Sequence, residues 1–216
     1  MAARLGDVDE ALLSRLAAAT EAAGAGRAAL LAAAARAREA AGSCTVVLVE
    51  GMSDQAALTT LAARRGRDLE REDVFVVPMG GATNIGHFVD LFGPTGFGVQ
   101  LTGLCDQGEE GDFRRALDRA GLDWLGFFVC VTDLEDEMIR ALGVPAMEGL
   151  IEAAGELRPF RTFTRQPFQR SRSRPQQLHR FLGIRSGRKI RYGHLLAAAL
   201  DLNRVPEPLD GLLAAV

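Results

Sequence analysis

Strand-like apolar runs at Thr45–Val49, Val74–Pro78, Gly98–Cys105 and Leu125–Val131 alternate with helical segments at Asp54–Arg65, Ile85–Phe92, Glu110–Ala120 and Leu134–Leu142. This alternation predicts right-handed βαβ crossovers and therefore an α/β fold, a small doubly wound parallel sheet covered by helices on both faces. The first run is the most telling. Val46 to Val49 is apolar without a break, as expected of a strand buried on both faces.

In "VVLVEGMSDQ" that run stops at Glu50, Gly51 and Asp54. Gly51 permits a sharp turn, Ser53 is placed to cap the next helix, and Asp54 falls in its first turn. Gly80 and Gly81 with Thr83 and Asn84 follow the second strand, Asp106 the third, and Asp133 with Glu135 the fourth. In a parallel sheet these ends share one edge, where open α/β sheets keep their ligand sites. Carboxylates gathered there repel one another unless a cation offsets them, and their hard oxygens suit Mg²⁺ or Mn²⁺. Glu50, Asp54, Asp106, Asp133 and Glu135 are accordingly the candidate metal ligands. Some have a structural alternative. Asp54 can serve as a helix-dipole charge, Glu135 as the capping-box partner of Thr132, and Gly80–Gly81 as a plain turn capped by Asn84 rather than a phosphate loop.

The net charge of −3 conceals an asymmetry. Residues 1–156 carry 13 Arg and 25 acids, a charge of −12, whereas residues 157–200 carry ten Arg, one Lys and no acid, a charge of +11. Such a block attracts polyanions, nucleic-acid phosphates above all; its alternatives are a solvated basic face or a cradle for the acidic half of the molecule. Arg170, Arg172 and Arg174 in "QRSRSRP", with Arg188 and Arg191, are the candidate DNA contacts, placed on the phosphate backbone because no groove-reading motif surrounds them. Lys189 is the only lysine beside 24 arginines, which favours a compact point charge on a phosphate oxygen over an ordinary solvated lysine.

Three regions follow. Residues 1–42 form an alanine-rich helical hairpin, with Leu5, Val8, Leu12, Leu13 and Leu16 at helical spacing, an Asp7–Glu10 capping pair, and a break at Gly24 and Gly26. It is expected to pack on the next domain or on a second copy of the chain, as a homodimer. Residues 43–155 form the α/β core, and 156–216 a basic helical extension packed on that core. The longest apolar run, Ala28 to Ala35, is eight residues, short of the roughly 18 a membrane span requires. Three cysteines without CxxC spacing read as reduced core thiols of a cytoplasmic protein, and three scattered histidines predict no zinc site.

The strings "VVLVEGMSD", "VVPMGGATN", "GLCD" and "VTDLEDEMIRALG", in that order and spacing, resemble the successive signatures of the Toprim domain, closest to the version in overcoming-lysogenization-defect (OLD) family nucleases. The resemblance covers roughly residues 45 to 200. It implies a Toprim, Rossmann-like sheet of four parallel strands that binds divalent metal for phosphodiester chemistry. Glu50 matches the Toprim glutamate, Gly51 and Asp54 its following glycine and acid, and Asp106 the first aspartate of an Asp-x-Asp motif. The second aspartate is replaced by Gly108, with Glu109 and Glu110 the nearest substitutes, which leaves one or two metals open. Asp133 and Glu135 match the acidic pair of the nuclease version, and "SGRKIRYGHLLAAAL" the segment whose lysine reaches the active site, here Lys189.

The expected activity is hydrolysis of DNA phosphodiesters by an endonuclease or nickase, with Glu50, Asp106 and Lys189 as catalytic residues and Mg²⁺ or Mn²⁺ as cofactor. Tyr192, the only tyrosine, lies in the basic segment, so a topoisomerase is disfavoured. No GxxxxGK[ST] loop is present, so an ATPase would be a separate partner. Two other classes remain: a non-catalytic Toprim module that binds metal or nucleotide and docks on such an ATPase, and nucleotidyl transfer.

Overall fold

The computed structural model describes residues 3–39, 43–185 and 187–216, with the backbone alone for 3–9. Four strands, β1 (Thr45–Val49), β2 (Val74–Pro78), β3 (Gln100–Asp106) and β4 (Phe127–Cys130), form one parallel sheet in the order β2-β1-β3-β4. β1 and β2 fall where the sequence predicts them. β3 starts two residues later, because the Val99 N–H donates to the Phe92 carbonyl, and it reaches Asp106, which pairs with Cys130 of β4. β4 is shorter than the Leu125–Val131 run: only Phe127 to Cys130 pair with β3, and Leu125 is 90% exposed.

Alternation along β1 feeds two cores. Val46 and Leu48 face α1 (Ala3–Ala23), α2 (Arg27–Glu39), α4 (Ile85–Phe92) and α5 (Glu110–Ala120), in a cluster holding Leu30, Phe88, Phe92 and Phe113. Val47 and Val49 face α3 (Met52–Arg64), α6 (Leu134–Ala153) and the C-terminal helices, with Leu58, Met138, Phe160, Phe181 and Tyr192. Burial of each such side chain contributes about 1.5–3 kcal/mol, which is why both faces of β1 are apolar.

The hairpin breaks where expected, at a 3₁₀ turn over Gly24–Gly26, and packs on α4 and β2 of its own chain. α1 begins at Ala3, so Asp7 lies inside the helix rather than at its cap, and the side chain of that expected pair lies outside the described residues. α6 extends past the expected Leu142 because Gly143, at φ +76°, kinks the chain and Pro145 starts a second helical stretch.

The basic extension is a series of helices joined by short turns: α7 (Leu157–Thr164), α8 (Pro167–Arg170), α9 (Arg174–Gly183), α10 (Arg188–Ala199) and α11 (Glu207–Ala215). α10 lies along α3, and it approaches closely because Gly193 has no side chain. A Cβ at that position would stand 2.5 Å from the Ser53 carbonyl oxygen. Lys189, one helical turn earlier, shares the face of Gly193 and is thereby carried toward the strand ends. Among the described residues, no helix is long and apolar enough to cross a membrane.

Candidate metal centre

Glu50 directly follows β1, and Asp106 ends β3. Those two strands are neighbours, yet the chain leaves β1 for β2 on one side and returns to β3 on the other. This is the switch point at which a parallel sheet opens a crevice beyond its carboxyl edge. Glu50, Asp106 and Glu109 meet there, each offering a carboxylate oxygen within 4.8 Å of the others. Glu109 therefore stands in for the aspartate that Gly108 lacks. Its position before α5 follows from the tight turn in which its N–H donates to the Asp106 carbonyl, 2.9 Å.

Asp54 sits beside this trio but is tied to the local backbone: the Gly51 N–H donates to its Oδ2 at 2.8 Å. Gly51, not Ser53, is the N-cap of α3, because its extended backbone precedes the first helical residue. Asp133 is the N-cap of α6, accepting from the Asp136 N–H at 2.8 Å, so the Thr132–Glu135 capping box, the structural alternative for Glu135, is not formed. This frees Glu135, which is 5% exposed and pairs with Lys189 Nζ at 3.3 Å. Asp133 Oδ2 lies 2.5 Å from His179 Nε2.

The electrostatics are those of crowded carboxylates. Burial, with the charges of Glu50, Asp54, Asp133 and Glu109 added, pushes Asp106 up to about 8. Burial, then Glu135 and Glu50, raise Asp54 to about 7 against the pull of the Gly51 N–H and Lys189. Burial and the neighbouring Glu50 raise Glu109 to about 7. Asp133 behaves oppositely: burial would raise it, but hydrogen bonds from His179 and the Asp136 N–H outweigh that and leave it lowered. The same contact with Asp133 raises His179. Burial disfavours the Lys189 ammonium, yet Glu135 and Asp133 overcome this and raise its pKa.

The residues fit a hard divalent cation. The donor set is all carboxylate, and two buried oxygens, Glu109 Oε2 and Glu135 Oε1, have no hydrogen-bond partner. Glu50, Asp106 and Glu109 would hold the ion, with Asp54, Asp133 and Glu135 around them.

Other expected residues are used differently. Arg188 is 5% exposed, doubly bonded to Glu156, and stacked 4.0 Å from the Phe181 ring, so it braces α10 instead of reaching DNA. Arg174 pairs with Glu148 and lies 4.7 Å over Phe160. Arg191 donates to the Ala154 carbonyl, and Arg170 to that of Arg165; Arg172 is exposed. Gly80, at φ +73°, lies against the Ala22 carbonyl, where a Cβ would approach to 2.4 Å, and the Gly81 N–H donates to the Glu50 backbone carbonyl at 3.1 Å. That glycine pair packs the exit of β2 against the helical hairpin, and the Gly81 amide is already used within the fold. Asn84 stands at the N-cap of α4 without a side-chain capping bond; its amide instead donates to the Met79 carbonyl, 2.9 Å. Tyr192 is fully buried, which removes its hydroxyl as a nucleophile. The three cysteines are buried and unpaired, and burial pushes Cys105 up to about 12. His179 escaped sequence reasoning because a lone histidine in an arginine-rich helix carries no spacing signal. Glu137, whose Oε1 accepts from the Val131 N–H at 2.9 Å, was hidden in the same way among other acids.

Comparisons with known proteins place this geometry. Residues 43–107 match the family model described as "Overcoming lysogenization defect protein-like, TOPRIM domain". The C-terminal region of the OLD protein of Burkholderia pseudomallei superposes with a TM-score of 0.60 at 20% identity, covering 80% of this chain and 96% of that one. That of Xanthomonas campestris pv. campestris gives 0.59 at 22% identity, covering 80% and 94%. A search of curated protein sequences found no significant match. The matched segment contains Glu50, Asp54 and Asp106 and stops short of Glu109, Asp133, Glu135 and Lys189. Residues 43–107 thus carry an OLD-like Toprim domain, and the chain around them has the fold of the C-terminal region of OLD proteins.

Proposed function

We propose that the chain is a divalent-metal-dependent nuclease that hydrolyses phosphodiester bonds in DNA, as an endonuclease or nickase. The observation that carries this reading is the meeting of Glu50, Asp106 and Glu109 oxygens within 4.8 Å at the switch point of the sheet. A bound Mg²⁺ or Mn²⁺ would neutralise phosphate charge and provide an activated water. The protein's own groups do the rest. Asp106, Asp54 and Glu109 hold protons well above the ordinary carboxylate range, so cation binding displaces protons, and affinity rises with pH. The Lys189 ammonium, half-exposed and steered by Glu135, presents a donor to a phosphate oxygen at the mouth of the crevice. His179 holds Asp133 in place while Asp133 caps α6, which fixes the acids of that helix relative to β4.

The test is cleavage of supercoiled plasmid with Mg²⁺ or Mn²⁺, beside Asp106→Ala, with and without nucleotide triphosphates. Nicked or linear product that disappears in the variant supports the proposal. Metal binding without product would instead favour a module that acts only with a separate ATPase.

A further inference from the structure

Eight large hydrophobic side chains are exposed among the described residues, and Phe168 is the one aromatic ring in that set, at 84% exposure. It stands in the acid-free segment, between Arg165 and Arg170. Its presentation is fixed. Pro167 opens the short helix α8, and Arg170 Nε donates to the Arg165 carbonyl at 3.0 Å across it. Two residues before Phe168, Gln166 lies on the wall of an open cleft of about 360 Å³ between α7 and the turn after α9, lined also by Thr162, Phe163, Phe181, Ile184 and Arg188. Ile184 is 48% exposed. Arg158 and Arg185 flank this cleft; both are exposed, and among the described residues neither forms an ion pair.

Arginines alone would serve any polyanion, and duplex DNA, with its bases stacked inside, offers a free base face to an outward phenylalanine only at the cost of unstacking. A ring left in water among unpaired arginines suits a ligand that presents both phosphates and free base faces. We infer that the α7–α8 face binds single-stranded or locally unpaired DNA, with Phe168 stacked on an unpaired base, the neighbouring base in the cleft over Ile184, and the flanking phosphates on Arg158, Arg165 and Arg185. This names the form of substrate for the nuclease proposed above and rests on that reading only in taking DNA as the ligand. With the metal removed no bond is cut, so occupancy of this face is measurable without hydrolysis.

The experiment is fluorescence anisotropy with the full chain in EDTA, using labelled oligothymidylate and a hairpin duplex of equal length over a range of salt. The expected result is tighter binding of oligothymidylate. Phe168→Ala should weaken single-strand binding roughly tenfold, leaving duplex binding and the salt slope unchanged, and Phe168→Trp should retain it. Arg158→Ala with Arg185→Ala should weaken both ligands and flatten the slope. Phe168 buries almost nothing, so its variants should melt with the parent protein. Equal or tighter duplex binding, no binding of either oligomer, or unchanged single-strand binding by Phe168→Ala would each overturn the inference. Because no bond is cut in EDTA, a chain that fails to cleave plasmid yet shows this preference refutes the nuclease reading alone.

Discussion

Glu109 brings a third carboxylate to a rim whose motif is incomplete. It lies one residue beyond Gly108 and reaches Glu50 and Asp106 because the turn before α5 swings it inward. Glu109→Ala should therefore lower the metal-induced rise in melting temperature at least as far as a tenfold loss of affinity requires, whereas Glu110→Ala, whose side chain pairs with Arg114, should leave it unchanged. The protonation of the rim has a second consequence. Asp106, Asp54 and Glu109 bind protons more tightly folded than unfolded, so the folded state gains least from them at high pH. In EDTA their contribution to stability should fall as pH rises from about 4 to about 8. With Mn²⁺ present, the fall should be reduced and the metal-induced shift should grow with pH. Thermal melts at pH 5 to 8 with and without metal read both, and a metal-induced shift that shrinks with rising pH would exclude these acids as ligands. At this scale the sequence revealed the acids that directly follow strands, because an abrupt change from apolar to charged is visible in one dimension. It could not reveal the His179–Asp133 contact, which depends on how α9 crosses the start of α6.

Among the elements, α10 shows best what packing adds to pattern. The sequence predicted helical character and singled out Lys189, but the route to the site is set by Gly193, whose missing side chain lets α10 close on α3. Gly193→Val should displace α10, cost about 1–3 kcal/mol in urea unfolding, and reduce plasmid cleavage more than it reduces metal binding. Arg188 anchors the same helix from the other side. Its guanidinium is held by Glu156 and the Phe181 carbonyl, so Arg188→Ala should destabilise by about 3–5 kcal/mol, by leaving Glu156 without its partner, and Arg188→Lys should recover little. Arginine composition alone could not separate this brace from the exposed arginines, since burial is a property of the fold. Strand positions were legible because apolar runs ended sharply; the outer residues of the third and fourth runs were not, because only pairing with a neighbour decides where a strand stops.

Over the whole molecule, an acidic rim and a basic face are carried by different lengths of chain, −12 before residue 157 and +11 over the next 44 residues. DNA binding should accordingly weaken steeply with salt. Removing the exposed Arg165 and Arg172 together should reduce the slope of log affinity against log salt by about 1.8 if both contact phosphates, and an unchanged slope would remove them from the interface. The paired Arg174 and Arg188 should change that slope little.

The crevice is also assembled in a fixed temporal order. The ribosome releases Glu50, Asp106 and Glu109 long before Lys189, and α10 can dock on α3 only after the helices between them have been made. Until then the acids lack the ammonium that Glu135 steers toward them and the histidine that holds Asp133. On the function proposed above, a half-synthesised chain would be a poor phosphate binder, and the complete set of charges would exist only once translation has passed Lys189.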